Sequence, residues 1–466
     1  MARLGWFGFG VLLLASPVLA QKPTTKPVAK PASPAKPASP APSPSVVVPA
    51  PVPAPTGRAS VEALLKETDD ITAKVVSLRK LRARRPFGRE VLSKPEIGAR
   101  LKDKIAKEYT PEEIGTEARI LKRLGLLPPE LDYQQTILSL LMEQVAGFYD
   151  PDAGKLFIAD WLDSSLQRPA LAHEIQHALQ DQHFNLNKLM KGLKDDSDAQ
   201  LARSALVEGD GMGVMVEFML APMGQDLSAL AKLPGGLSGM MEQGMAGQSP
   251  EFDKAPAILK KTLLFPYIEG LNFVAGVRMR QPWSKIDDVF RSPPVSTEQI
   301  LHPSKYFARE KPARIKGAEL PTLVGQKVLR ADVVGELQLR VMLGEHTGDS
   351  TDVANAAAAG WDGDRMVAYA KLGEPTISIV HVSSWDVEAD AIEFFVAAGK
   401  MIAKLSGNAS TVKSTDKVVT FADKNGDLWS VERKGLRVVA LLGVHGASGN
   451  ADVVRAEVWQ KFKFSR

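Results

Sequence analysis

Three of the seven histidines of this 466-residue chain lie in the stretch LAHEIQHALQDQHF, residues 171–184. His173 and His177 are four positions apart, so on an α-helix their side chains project from the same side of consecutive turns. From position 170 to position 179 the only charged residue is Glu174. So few charges suit a buried helix, because unpaired charges are costly there. The stretch therefore predicts a buried helix that presents two imidazoles on one face.

The spacing of these histidines indicates a metal site. Two neutral imidazoles from consecutive turns can bind one Zn²⁺ and leave other coordination positions open. Glu174 lies about 100° around the helix from His173, which is too far for an equivalent ligand but close enough to contact a water molecule on the metal. A carboxylate there can take a proton from the water as it attacks a carbonyl carbon, so Glu174 is the candidate catalytic base. The alternative is a surface helix with two incidental histidines.

The third metal ligand has two candidates. His183 has the position of the third histidine in the metzincin pattern H-E-x-x-H-x-x-G-x-x-H, but a continuous helix would turn it about 240° away from His177. Gln180, a good helix former, stands where metzincins have the glycine that breaks the helix. Glu208 lies in SALVEGDGMGVM on a second predicted helix, 197–221, and we favour it over His183. In the competing interpretation its Glu-Gly-Asp sequence only interrupts a helix.

The first residues of the chain have the composition of a cleavable secretory signal. The apolar run Gly5–Ala15 is too short to span a bilayer, which takes about 20 residues, and small residues at Val18 and Ala20 suit a signal peptidase. We expect cleavage near Gln21 and a secreted or periplasmic protein; an uncleaved membrane anchor is the alternative. The chain has no cysteine, which excludes a lipid-modified cysteine and disulfides and leaves His, Asp and Glu as metal ligands.

Residues 21–57 have the composition of a disordered linker. They hold 12 of the 32 prolines, interleaved with Ala, Lys and Ser, and such a segment cannot bury enough apolar surface to fold. Five basic and no acidic residues precede Arg58, so subtracting them from the formal net charge of +4 leaves −1 for residues 58–466. A near-neutral body does not favour a nucleic-acid partner.

The periodicity of the remainder predicts an α+β fold with two domains. Residues 58–320 form a mainly helical domain with a small edge sheet, to which GFYDPDAGKLFIAD contributes two strands around a turn. Residues 321–466 form an α+β accessory domain, in which Asn425-Gly426 is a hairpin turn. Residues 222–252, rich in Gly and Met, predict a mobile flap or an ordinary long loop. Helices are expected near 96–108, 111–124, 131–146, 197–221, 329–344 and 385–404, and strands near 365–371, 375–383, 417–422, 427–433 and 436–443.

Together, HEIQH and the later ALVEGD resemble the gluzincin zinc metallopeptidases, of which thermolysin is the best-known member. Over roughly residues 60–400 the chain also resembles a set of poorly characterised bacterial exported proteins. The segments that carry this second resemblance include LGLLPPELD, EQVAGFYDP, LAHEIQHALQDQHF, FPYIEG, PPVSTEQILHPSKY, AAGWDGDRM and SSWDVEADAIEFF. The gluzincin resemblance implies a zincin-like catalytic domain that hydrolyses peptide bonds in a peptide or protein substrate.

For the site, the gluzincin resemblance implies Zn²⁺ bound by His173, His177 and Glu208, with Glu174 as the general base. It also implies that the GFYDPDAGKLFIAD hairpin supplies an edge strand beside which an extended peptide lies. The chain departs from thermolysin in a longer gap before the third ligand. It also has Met212 where an acid is expected four residues after that ligand.

Other residues are assigned supporting roles. Asp210 is interpreted either as a residue that orients a ligand histidine or as a helix cap or solvent-facing acid. Gluzincins add a His or Tyr that donates to the oxyanion formed at the attacked carbonyl; His302 is the favoured candidate, followed by Tyr267, with Tyr306 also considered.

The alternative function is a non-catalytic secreted binding or scaffold protein that retains a structural or relic metal site. A third possibility is a secreted protein without any metal.

Overall fold

The computed structural model of the protein describes residues 58–161, 164–227, 250–407, 411–445 and 451–465. The predicted signal peptide and linker lie outside these residues, as does most of the glycine- and methionine-rich segment at 222–252. Within the described ranges, none of the helices combines the length and the apolar character that crossing a bilayer requires.

The first half of the chain is mainly helical. Its helices are α1 (Arg58–Lys66), α2 (Thr68–Arg79), α3 (Lys94–Glu108), α4 (Pro111–Arg123), α5 (Tyr133–Gln144), α6 (Ser164–Phe184), α7 (Leu186–Met190), α8 (Ser197–Leu220), α9 (Pro250–Lys254), α10 (Ala257–Arg278), α11 (Ser284–Arg291), α12 (Thr297–Leu301) and α13 (Pro303–Phe307). Side-chain caps mark several starts: Thr110 accepts from the Glu113 amide before α4, and Asp132 accepts from the Gln135 amide before α5. The predictions of α3, α4, α5 and α8 are confirmed.

Three short strands form a small sheet beside these helices. They are β1 (Gly88–Leu92), β2 (Gly147–Asp150) and β3 (Lys155–Ala159), in the order β1-β3-β2. The predicted hairpin of β2 and β3 is confirmed, and Asp150 accepts from the amide of Asp152 in its turn. The sequence does not predict β1, because it pairs in parallel with β3, a strand far along the chain. β2 is an edge strand that packs against α6.

Helices α6, α8 and α10 occupy the centre of the first half. α6 packs against α8, β2 and β3, and α8 packs along α10. Two glycines allow α8 and α10 to touch through their backbones: a Cβ at Gly209 would overlap the backbone of Gly270, and a Cβ at Gly270 would overlap the carbonyl of Ala205. No other residue type fits such contacts, so this glycine pair fixes the position of α8.

The second half is an antiparallel sheet covered by helices. Its elements are β4 (Arg314–Lys316), β5 (Gln326–Asp332), α14 (Gly335–Thr347), α15 (Thr351–Ala358), β6 (Trp361–Lys371), β7 (Ser378–Trp385), α16 (Glu388–Leu405), β8 (Thr411–Ser414), β9 (Val418–Ala422), β10 (Leu428–Lys434), β11 (Arg437–Val444), α17 (Ala451–Lys461) and β12 (Lys463–Ser465). Seven strands pair in the order β5-β6-β7-β11-β10-β9-β8. This half and the first together confirm the predicted α+β class.

Both faces of the seven-stranded sheet are buried. Along β11, Val438, Ala440 and Leu442 pack into the cluster that includes α14, α15 and α16. The alternate residues Val439 and Leu441 pack into a second cluster on the face that α17 covers. Successive side chains of a strand point to opposite faces of the sheet, and here both faces pack against apolar clusters instead of one face being solvated.

One predicted helix in this half is partly wrong. The segment 329–344 begins as β5, and the helix α14 begins only at Gly335. A short apolar run does not distinguish a strand from a buried helix by itself. Gly335 has a φ of 78°, a conformation that favours glycine, so the chain turns there between strand and helix. The hairpin turn at Asn425-Gly426 is confirmed, with Gly426 donating to the Asp423 carbonyl.

The two halves share one hydrophobic core. The larger cluster of buried side chains extends from Val61 in α1 to Leu442 in β11. The domain boundary at 321 stays a prediction, and some residues before it pack with the second half. β4 pairs with the C-terminal strand β12, and Ile315 and Leu320 pack in the second cluster. The chain thus joins the second half by about residue 314.

Candidate metal centre

His173, His177 and Glu208 meet at the centre of the helical half. α6 supplies both histidines, and α8 supplies the glutamate. Nε2 of His173 lies 2.9 Å from Nε2 of His177. Oε2 of Glu208 lies 3.2 Å from the former nitrogen and 3.3 Å from the latter. The histidine side chains are 0% and 4% exposed and that of Glu208 is 11% exposed, so the cluster is buried and is most accessible at Glu208.

The donor atoms and their spacing fit a zinc ion. Zinc binds imidazole nitrogen and carboxylate oxygen, and its ligand atoms in a tetrahedral site, each about 2.0–2.1 Å from the metal, lie roughly 3.3–3.4 Å from one another. The three atoms of this cluster are 2.9, 3.2 and 3.3 Å apart. Across the described ranges, no fourth His, Asp or Glu joins them. Three protein ligands are typical of catalytic zinc, whereas structural zinc takes four.

Gln180 determines which nitrogen of His177 faces the cluster. Its amide group donates to the Val207 carbonyl at 3.0 Å and to Oδ2 of Asp210 at 2.8 Å. Its oxygen lies 2.8 Å from Nδ1 of His177, and because an amide oxygen only accepts, Nδ1 carries the hydrogen. Nε2 of a neutral His177 therefore presents its lone pair to the cluster, as a metal ligand must.

Asp210 acts on the cluster through this glutamine. It is fully buried in the interior of α8, so it is neither a helix cap nor a solvent-facing acid. In the described part of the chain its side-chain hydrogen bonds go to two glutamines and an arginine. Oδ2 accepts from Gln176 at 2.7 Å and from Gln180 at 2.8 Å, and Oδ1 accepts from Nε of Arg79 at 2.7 Å. Asp210 thus orients His177 indirectly, because it fixes the direction of the Gln180 amide.

His173 lies against the backbone of α8. Its Nδ1 faces the backbone of Gly211 without meeting hydrogen-bond geometry with any of the described residues. A Cβ at Gly211 would stand 2.8 Å from Cε1 and 3.0 Å from Nδ1 of His173, and 3.2 Å from Cε1 of His177. Glycine in a helix costs about 1 kcal/mol relative to alanine. At this position it allows α8 to bring Glu208 beside both imidazoles.

The charges of the cluster are coupled. Burial raises the pKa of Glu208, but the neighbouring histidines outweigh it and hold that pKa well below its usual range. Burial lowers the pKa of His177, and the Glu208 carboxylate outweighs this and raises it. Burial and the charge of His177 lower the pKa of His173. A divalent cation at the cluster would take the place of the proton that otherwise pairs His177 with Glu208.

Glu174 lies on α6 beside these residues and is fully buried. Neither carboxylate oxygen has a hydrogen-bond partner in the described part of the chain. Burial raises the pKa of Glu174 to about 8, although the charge of His177 and the backbone amide of Tyr149 in β2 lower it. The Tyr149 amide faces the carboxylate without meeting hydrogen-bond geometry. A buried carboxylate with no partner is costly, so the fold alone does not account for Glu174.

The other predicted residues lie apart from the cluster. α6 continues to Phe184, and Nε2 of His183 is 2.8 Å from the Arg82 carbonyl oxygen. His302 lies between α12 and α13, where its Nε2 is 2.9 Å from Oε1 of Glu336 in α14; no hydrogen bond joins it to the cluster. Tyr306 donates to the Ser292 carbonyl at 2.8 Å.

Tyr267 is the remaining candidate for the oxyanion donor. It is buried in α10, less than one turn before Gly270. Gly270 is the residue that α8 contacts through its backbone. Tyr267 therefore belongs to the helix that positions α8, whereas its role in catalysis stays a prediction.

A second group of acids joins the two halves. Glu298, Glu310 and Asp386 bring carboxylate oxygens close together. The ammonium of Lys305 already pairs with all three, at 2.6 Å from Glu298 and 2.8 Å from Glu310 and in closer contact with Asp386. The cation of this cluster is thus the protein's own lysine, and we assign no metal to it.

The sequence patterns do not predict two parts of the site. Gln180 has a local signal, since a glutamine three residues after a helical histidine can reach its Nδ1, but its helix propensity predicts only that the helix continues. Arg79 has no local signal, because 131 residues separate it from Asp210. Its importance follows from the packing of α2 against α6 and α8.

Comparison with known proteins gives one family match over part of the chain and no function. A family described as a domain of unknown function (DUF8575) matches residues 323–454. This range covers most of the second half and includes no residue of the cluster. No curated protein and no solved structure matches the chain.

Proposed function

We propose that the protein is an exported zinc-dependent metallopeptidase that hydrolyses peptide bonds in peptide or protein substrates. The observation that carries this proposal is the position of Glu174. Its carboxylate is buried without a partner on the helix that supplies two of the three converging donor atoms. A hydrogen-bonded cluster with a purely structural role does not need such a residue, whereas a hydrolytic site needs a base there.

Each residue of the site has a defined task in this reaction. His173, His177 and Glu208 would hold Zn²⁺, which supplies Lewis acidity that polarises a carbonyl and makes water more acidic. Glu174 accepts the proton of the attacking water on a carboxylate oxygen and then delivers it to the nitrogen of the departing amine. Burial assists the uptake of the proton, because the neutral carboxyl is better tolerated than the carboxylate in an apolar environment.

The proposal places an extended peptide along β2, a strand whose residues 147–149 are buried in this structure. β2 is an edge strand, and an extended peptide can add to such an edge through main-chain hydrogen bonds. The Tyr149 amide of β2 faces Glu174, so a peptide along β2 would pass beside the base. Glu208 is the most exposed residue of the cluster, so the proposal has water and substrate approach from its side. The number of ligands argues against the alternative of a structural metal site.

Metal content tests the proposed ligands. We expect about one zinc per chain in the exported protein, retained in His183→Ala and lost in Glu208→Ala. His183→Ala is the matched control, because His183 lies on the same helix but bonds the Arg82 carbonyl instead of facing the cluster. A parent protein that takes up no zinc after supplementation would refute the proposed function.

Hydrolysis of an unfolded protein such as casein tests the base. Glu174→Gln keeps the shape of the side chain and removes its basicity, so zinc should be retained while casein hydrolysis falls by at least about 100-fold. Zinc content measured on the same preparation separates loss of the base from loss of the metal. Full hydrolysis by Glu174→Gln would show that Glu174 is not the base.

A further inference from the structure

We propose that Arg79 of α2 is a positioning residue of the metal centre, and that residues 58–92 remain part of the active protein instead of forming a removable pro-segment. This inference rests on the proposed function, since it concerns the same cluster. It goes further by assigning a role in metal binding to a helix that begins more than 90 residues before the first histidine.

A continuous chain of hydrogen bonds leads from Arg79 to the cluster. Nε of Arg79 donates to Oδ1 of Asp210 at 2.7 Å. Oδ2 of Asp210 accepts from Gln180 at 2.8 Å, and Oε1 of Gln180 lies 2.8 Å from Nδ1 of His177. Arg79 and Asp210 are both 0% exposed. The guanidinium therefore neutralises and orients the carboxylate that fixes the Gln180 amide, and the amide fixes the ring nitrogens of His177.

The position of Arg79 is fixed from a second side. Nη1 lies 2.7 Å from Oδ1 of Asp287 in α11, and the guanidinium carbon lies 4.9 Å from the centre of the Trp283 ring. The planar guanidinium hydrogen-bonds Asp210 through Nε, forms an ion pair with Asp287 on the Nη1 side and lies over an aromatic ring. A lysine ammonium is a point donor and cannot reproduce this arrangement.

The N-terminal segment is built into the first half in two further ways. α2 packs against both α6 and α8, the helices that carry the cluster. β1 pairs along its whole length with β3, the central strand of the small sheet. Removal of residues 58–92 would therefore expose β3 and leave Asp210 buried without its cation, and a buried charge without a partner is strongly destabilising.

The test compares two buried arginines in the full exported chain. Arg79→Met removes the proposed positioning residue. Arg330→Met is the matched control, because Arg330 is also buried between two acids, Glu117 and Asp332, but lies away from the cluster. Both variants should melt at a lower temperature than the parent. Only Arg79→Met should weaken Zn²⁺ binding, by about 10- to 100-fold in competition with a chromophoric chelator, and change the absorption spectrum of bound Co²⁺.

A double variant keeps the test decisive if Arg79→Met does not fold. Arg79→Met combined with Asp210→Asn removes both buried charges. The asparagine oxygen can accept from both glutamines, which share Oδ2 of Asp210 in the parent, but it is a neutral and weaker acceptor that no guanidinium orients. We expect this protein to fold and to bind Zn²⁺ more weakly than the parent. Zn²⁺ affinity and a Co²⁺ spectrum equal to those of the parent would overturn the positioning role. Absence of Zn²⁺ binding in the parent would instead refute the proposed function.

The processing part of the inference is tested on the protein as it is exported. Intact mass and N-terminal sequence of the zinc-loaded, casein-hydrolysing fraction should show a chain that includes residues 58–92. An active fraction whose chain begins after residue 92 would overturn this part.

Discussion

Replacement of Gly211 by alanine should distinguish the effect on the proposed metal site from the effect on folding more clearly than removal of a proposed ligand does. The added Cβ would lie 2.8 Å from Cε1 and 3.0 Å from Nδ1 of His173, and 3.2 Å from Cε1 of His177. Ordinary contacts of a Cβ begin at 3.4 Å. The imidazole of His173 must therefore move by roughly 0.6 Å, whereas a zinc–ligand distance tolerates only about 0.2 Å.

The expected result of Gly211→Ala is weaker zinc binding without loss of the fold. Displacement of one ligand should reduce zinc affinity by about 10- to 100-fold, which corresponds to about 1.4–2.7 kcal/mol. The metal-free protein gains about 1 kcal/mol of helix propensity from alanine and loses about 1–3 kcal/mol to the tight contact. Its melting temperature should therefore change by only a few degrees.

Gly276→Ala is the matched control for this measurement. Gly276 also lies in a long helix, in the last turn of α10, but a Cβ there would meet nothing within 4 Å. The control should gain about 1 kcal/mol of stability and bind zinc as the parent does. Zinc affinity is measured by chelator competition and stability by thermal melting of the metal-free proteins. If Gly211→Ala binds zinc as tightly as Gly276→Ala, then His173 is not a ligand held in the described geometry.

Three further outcomes are expected. Gly209→Ala should destabilise the protein by more than about 3 kcal/mol in denaturant unfolding, because its Cβ would overlap the Gly270 backbone, which cannot move aside as a side chain can; a small effect would contradict the backbone contact of α8 and α10. Burial raises the pKa of Glu298 from 4.5 to about 8, against its ion pair with Lys305. The folded state therefore binds a proton that the unfolded state releases, and this stability is present below about pH 4.5 and is lost as the pH rises to about 8. Glu298→Gln should reduce the decline of melting temperature over this window, and an unchanged decline would contradict the raised pKa. Free zinc at 100 times its dissociation constant should stabilise the parent by about 2.7 kcal/mol, a rise of roughly 3 °C in melting temperature, and Glu208→Ala should show no rise.

Local patterns were sufficient for much of the secondary structure and for part of the site. The geometry of one helix places His173 and His177 on the same side, and no distant residue is needed for that conclusion. The β2–β3 hairpin depends on a turn within a few residues, and the turn at Asn425-Gly426 depends on two. The helices α3, α4 and α5 carry their start signals in sequence as a capping residue followed by proline or a helical run.

Long-range packing decided the rest. β1 and β5 are strands because of partners elsewhere in the chain, and no local signal marks a parallel pairing such as that of β1 with β3. Packing also brings Glu208, and not His183, beside the two histidines, since the helix of His183 continues to Phe184 and α8 approaches α6 closely at Gly211.

The sequence by itself determined the helix that carries two histidines and a glutamate, and it determined the α+β class. Because the chain has no cysteine, the sequence also limited the possible metal ligands to His, Asp and Glu. Only the tertiary structure brought Glu208 to within 3.3 Å of both imidazoles. It alone linked Arg79 to His177 through Asp210 and Gln180. Such contacts are set by the close packing of α2, α6, α8 and α10, and they form only when burial of the shared core offsets the entropy of closing loops of 35 and 131 residues.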